Sequence, residues 1–139
     1  MEKRMELLLR EAEKQEMGKI LDCNGKTARF GLELTKEETK QLVACEYQTL
    51  RECGRVQFTE SILPKLIETF CDSAYIQQEE YLETLEELQE IFFFYKNESG
   101  DKLSDDELLE CMKQQYEEVC HGDLEYLKTT CLAEIVRTL

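Results

Sequence analysis

The side chains best equipped for nucleophilic or metal chemistry in this chain are seven cysteines, Cys23, Cys45, Cys53, Cys71, Cys111, Cys120 and Cys131, and one histidine, His121. Their spacing limits what they can do. No two cysteines form C-x-x-C, so neither a zinc knuckle nor a thioredoxin-type pair is encoded locally. Cys45 and Cys53, like Cys111 and Cys120, lie more than two helical turns apart, too far to chelate one ion from a single helix. Cys120-His121 is the one juxtaposition with the look of a nucleophile and its base. Neighbours on a helix point about 100° apart, so these two do not face each other. A histidine just before Gly122 is explained by the favourable field at a helix C-terminus. Most of the cysteines sit on or beside apolar stripes, where a thiol acts as a small hydrophobe. The sequence therefore assigns no catalytic residue and no cofactor, and it leaves Cys120 and His121 as the only local metal-ligand candidates. A metal- or small-molecule-binding protein, or an enzyme, built on cysteines gathered by the fold stays open as the alternative.

Oxygen ligands are plentiful between Tyr95 and Asp106, and a helix-loop-helix calcium site is the reading to test. Placing Gly100 at the glycine position of such a loop puts Tyr95 at the first ligand and Lys102 at the apolar position; placing Leu103 at the apolar position puts Lys96 at the first ligand. Each register breaks at two positions or more. As a bend, the segment is fully explained. Gly100 turns the chain, Ser104 caps the next helix, Glu107 closes a capping box, and Asp105 and Asp106 sit where the helix dipole favours acids. Phosphate-binding glycine loops, H-E-x-x-H and G-x-S-x-G are all missing, and one histidine cannot furnish a di-iron bundle.

The elements that must position these residues are helices. With one Pro, six Gly, 42% hydrophobic and 35% charged residues, the 139-residue chain reads as one mostly α domain, an irregular bundle of five to six helices. Apolar spacing predicts helices over roughly 2–17, 36–53, 60–71, 77–96, 105–121 and 123–137. Residues 18–27 read as a connection. The alternating stretches 30–34 and 55–58 suggest a short two-stranded ribbon. The first helix, 1–17, has a narrow stripe (Met5, Leu8, Leu9, Ala12) and reads as peripheral or as an interface helix. Thr35 and Glu38 fit a capping box, and Thr59 or Ser61 can cap the third helix. In the second helix Leu42, Val43, Tyr47, Leu50 and Cys53 are expected on one side. In the fourth, Tyr81, Leu85, Leu88, Phe92 and Tyr95 form a heptad seam, and Ile91, Phe93 and Phe94 spread the apolar surface around the cylinder. A helix apolar on most sides is expected to run through the bundle centre, with partial entry into a subunit interface as the alternative.

The net charge is −14, and it is uneven. Residues 1–76 carry 12 Lys/Arg against 14 Asp/Glu, whereas residues 77–139 carry 5 against 17. Such a surface repels phosphate backbones and anionic lipid, so neither nucleic acid nor a membrane is expected as partner. Arg51, Arg55, Lys65, Lys26 and Arg29 are the residues able to form a non-acidic patch. No run reaches the length of a membrane span. Leu7 to Leu9 are too short an apolar core for a signal peptide, and a cytoplasmic location is expected. The function class that fits is a small acidic protein-interaction module without catalysis, with a protein partner or a homodimer. Phe93, Phe94, Glu83, Glu87 and Glu90 are its interaction candidates.

The blocks FGLELTKEET, GRVQFTESILPKLIETFCDSAYI, YKNESGDKLSDDELLECM and GDLEYL resemble an uncharacterised family of small proteins from Firmicutes. The resemblance spans roughly residues 28–130. It implies a bacterial, cytosolic source and carries over no site residue.

Overall fold

The computed structural model describes residues 2–56 and 60–139, with side chains from residue 11 onward. Helix α1 spans Glu2–Asp22 and α2 spans Asn24–Thr27, followed by a 3-10 turn at Ala28–Phe30. Then come α3 (Lys36–Glu52), α4 (Leu63–Phe70), a 3-10 turn at Gln78–Glu80, and α5 (Tyr81–Glu98). The chain closes with α6 (Asp105–Glu118), α7 (Leu124–Tyr126), a π turn (Leu127–Cys131) and α8 (Leu132–Arg137). The fold is mostly α, with no strand among the described residues.

The first helix is longer than its stripe suggests. Gly18 costs about 1 kcal/mol inside a helix, yet α1 continues to Asp22 because Ile20 beyond it is fully buried. Asn24-Gly25 opens a short helix where a loop is expected. The stripe residues Met5, Leu8 and Leu9 lie outside the described side chains.

No strand forms at 30–34 or at 55–56, the described residues of the expected ribbon. Phe30 belongs to a 3-10 turn, and residues 57 and 58 lie outside the described residues. The alternation at 30–34 is nonetheless real in burial: Leu32 and Leu34 are buried and Glu33 is exposed. What replaces the partner strand is a pair of side-chain amides. Asn24 Nδ2 donates to the Leu34 carbonyl at 2.9 Å and Asn24 Oδ1 accepts from the Leu34 amide at 2.9 Å. Gln78 does the same for Glu33, at 2.9 and 2.8 Å, and the Thr27 hydroxyl donates to the Leu32 carbonyl at 2.6 Å. A two-residue amide mimic satisfies the backbone groups that a ladder would have paired.

Helix α5 is the axle of the bundle. It packs against α3, α4, α6 and α8, while α1 lies on α3 and α4. The expected seam of Tyr81, Leu85, Leu88, Phe92 and Tyr95 is buried throughout, with Ile91 and Phe93 added to it. The apolar face of α4 (Ile62 with Leu63, Leu66, Ile67 and Phe70) is buried as its spacing predicts, and Pro64 sits in its first turn. Both capping boxes, Thr35 with Glu38 and Ser104 with Glu107, are present. Ser61 accepts the Leu63 amide at 3.1 Å, and Thr59 lies outside the described residues.

Two stripes differ from expectation. On α3 it is Glu46 that points inward, while Tyr47 is exposed. Helix α6 stops at Glu118, three residues short of the expected 121, and Val119, which continues the spacing of Leu108, Leu109, Met112 and Tyr116, is exposed. Beyond it, the predicted last helix holds a π turn. The Leu132 amide bonds Leu127, five residues back, and the Lys128 carbonyl accepts the Tyr95 hydroxyl. An outside donor of this kind is what lets an extra residue sit in a helical turn.

Candidate functional site

Helix α5 leaves one narrow stripe uncovered. Glu83, Glu87, Glu90 and Phe94 recur at spacings of four, three and four, and all four are exposed. Phe94 is 42% exposed, whereas Phe93 is turned inward and packs edge-on against Phe92 at 5.1 Å. The stripe therefore keeps four of the five residues that sequence proposes for contact.

The ground on either side of the stripe is acidic too. Gln41 of α3 donates to Glu86 at 3.2 Å, and the charges of Glu52, Glu86 and Glu87 act on Glu90. Partial burial and these neighbours hold the Glu90 carboxyl above its ordinary range, with Lys128 opposing them. Phe94 follows the glutamates, and exposed Asn97 and Glu98 lie three and four residues beyond it. Phe94 stacks edge-on against Tyr95 with centroids 5.0 Å apart, and Lys128 Nζ lies 5.9 Å from its ring. The result is an acidic track interrupted by one accessible aromatic ring. Beneath it, fully buried Gln89 donates to Thr49 Oγ1 at 2.6 Å and to Cys45 Sγ at 3.2 Å, tying α5 to α3.

Six of the seven thiols are poor nucleophiles by their surroundings. Burial pushes Cys45 up to about 12, helped by Glu86 and Glu90, and burial also leads the rise at Cys23, Cys53, Cys71 and Cys111. A reactive cysteine needs the opposite, a thiolate favoured by cations or a helix N-terminus. Cys120 is pushed up to about 12 by burial and by the adjacent Cys131, whose sulfur is 3.3 Å away. His121 does not serve Cys120. Its Nδ1 meets the Tyr75 hydroxyl at 3.2 Å, and it lies beyond the end of α6 in a left-handed conformation.

In the calcium-type segment the oxygens are engaged by side chains. Arg55 reaches Asn97 Oδ1 at 2.6 Å and Asp101 Oδ1 at 2.9 Å, and Lys96 bonds the Leu103 carbonyl at 2.6 Å. Among the described residues no three His, Cys, Asp or Glu side chains converge as a metal site. The basic residues are divided among separate acids: Lys26 pairs with Glu68, Lys65 with Asp106 and Arg55 with Asp101, while Arg29 lies over Phe30.

A family model matches residues 19–139. The chain belongs to DUF6323, a family of unknown function. This bears out the resemblance to an uncharacterised family and extends it to both sides of the quoted blocks. The family description names no activity, so every site residue here is argued from geometry alone. No curated protein and no solved structure matches the chain. No helix among the described residues is long and apolar enough to cross a membrane.

Two features escaped the sequence reading. Glu46 is 3% exposed, accepts the Ser61 hydroxyl at 2.9 and 2.8 Å, and has its carboxyl pushed up to about 7 by burial. It lies midway between Leu42 and Leu50 at helical spacing, so an acid inside an apolar stripe was the available signal. The contact of Cys120 with Cys131 had no such signal, because it depends on how the chain turns at residues 119–123.

Proposed function

We propose that the chain is an acidic docking module of the bacterial cytoplasm, of the kind found in Firmicutes, without catalytic activity. It receives a basic, amphipathic segment of another protein along the exposed stripe of α5. One observation carries this reading: Glu83, Glu87, Glu90 and Phe94 are aligned and exposed on the helix that packs against four others. A cationic helix with one apolar residue per two turns complements such a track, the charges steering encounter and the aromatic ring supplying the anchor. The raised thiols speak against the cysteine-enzyme alternative, and the acidity speaks against nucleic acid and anionic membranes.

The test is a titration of isotope-labelled protein with a synthetic Lys/Leu amphipathic helix, followed by amide chemical shifts. Shifts are expected along Glu83–Phe94 and on the facing turn of α3. Affinity should fall about tenfold in E83Q/E87Q/E90Q and with added salt. Shifts scattered evenly over the surface, or affinity unchanged in both that variant and Phe94→Ala, would overturn the reading. Light scattering across concentration tests the homodimer as the occupant of the same stripe.

A further inference from the structure

We propose that Cys120 and Cys131 form a reversible dithiol–disulfide site. Their sulfurs are 3.3 Å apart, they come from opposite sides of the α6–α7 corner, and both side chains are buried. A disulfide needs about 2.05 Å, so closing the bond takes a movement of roughly one ångström by the two side chains. No other pair of sulfurs among the described residues is in hydrogen-bonding contact, although all seven thiols are free. A two-sulfur metal site is the competing use of such a pair, but no third His, Cys, Asp or Glu side chain completes a ligand set among the described residues.

The surroundings limit how an oxidant reaches the site. Burial raises the Cys120 thiol, so few thiolates exist while the corner is closed. The corner itself is a surface feature: Val119 is 46% exposed, Tyr126 is 44% exposed, and His121 is exposed between them. Reaction of Cys120 requires residues 119–123 to open. The site therefore responds slowly, and the oxidant of the proposal is a low-molecular-weight disulfide, RSSR. On opening, the Cys120 thiolate attacks one sulfur of RSSR and expels RS⁻, leaving a mixed disulfide. The Cys131 sulfur then attacks the Cys120 sulfur, expels the second RS⁻ and closes the ring. The two protein thiols give up two electrons and two protons, and RSSR leaves as two RSH. The closed ring spans the π turn, tying Cys131 at its end to the last residues of the α6 corner.

The experiment uses the full chain in buffers of graded reduced to oxidised glutathione, quenched with acid, alkylated and mapped by mass spectrometry. The expected result is one intrachain Cys120–Cys131 link, lighter by about 2 Da than the dithiol, reversed by excess thiol, with five cysteines alkylated. Linkage requires that the bond form more readily in the folded chain than in the same chain in urea, by about 30-fold or more. Cys131→Ser should abolish the link and Cys45→Ser should leave it. Glutathione adducts at either residue without a link, a link between other cysteines, or equal formation in urea would each overturn the proposal, and the wild-type map decides even if a variant fails to fold.

Discussion

Between α5 and α6 the chain reverses through Gly100 (φ 62°) and Asp101 (φ 61°); between α6 and α7 it reverses through His121 (φ 49°) and Gly122 (φ 86°). Both corners use two consecutive left-handed residues, one glycine and one not, in opposite order. In both, a distant side chain holds the residue that is not glycine. Arg55 donates to Asp101, and Tyr75 meets His121. The corners differ in what surrounds the glycine. A Cβ at Gly100 would meet nothing within 4 Å, whereas at Gly122 it would lie 2.7 Å from Tyr75 Cβ. One corner is stabilised by ions in open water, the other by close packing under an aromatic ring. The first is tolerant and salt-sensitive, and the second is intolerant and insensitive to salt.

The largest test of this contrast is Gly122→Ala, expected to cost about 4 kcal/mol, the sum of left-handed strain and forced overpacking, read by chemical denaturation. A cost below that of Gly100→Ala would break the comparison. Next comes pH, which separates both corners from the α3–α4 joint. Glu46 binds its proton more tightly folded (about 7) than unfolded, so the folded chain holds more protons between roughly pH 4.5 and 7. Stability should therefore fall as pH rises through that window, by about 3 kcal/mol in the limit. Glu46→Gln should flatten the slope, while both corner glycine variants should retain it. Gly100→Ala itself should cost about 1–2 kcal/mol, since only backbone strain is added. Arg55→Ala should cost about 1 kcal/mol, with faster hydrogen exchange confined to residues 99–103 and an effect that shrinks in salt. The smallest effect is at low pH. Arg55 holds the Asp101 carboxyl below its usual range, so its contribution is complete above the unfolded value of about 3.9 and is lost as pH falls through the lower folded value. Acid should loosen the α5–α6 corner first, as proton-exchange protection there will report.

The same contrast explains what could be read from sequence. The α5–α6 corner is written in local grammar: Gly100 to turn, Ser104 and Glu107 to cap, acids in the first turn, and all of these are in place. The α6–α7 corner depends on Tyr75, more than forty residues away, and nothing local announces that partner or the early end of α6. Core stripes were legible wherever four or five strong apolar residues kept helical spacing, as on α4 and α5. On α3 Leu42, Val43 and Leu50 are buried as expected, but Tyr47 is exposed and Glu46 goes inside, because the Ser61 hydroxyl donates to its carboxylate. Of the contact residues, Phe94 and the three glutamates share a stripe that heptad counting reaches. Phe93 lies one position, about 100°, away from Phe94, and on so apolar a stretch only the neighbours decide which ring goes inside.

The clasp at Asn24 and Gln78 has a consequence for solubility. An extended, alternately apolar segment such as 32–34 is the usual template on which a second molecule adds a strand. Here the main-chain donors and acceptors of Glu33 and Leu34 are already taken by amide side chains of the same molecule. The backbone there has both hands full, and cross-β growth has no foothold unless Asn24 or Gln78 first lets go.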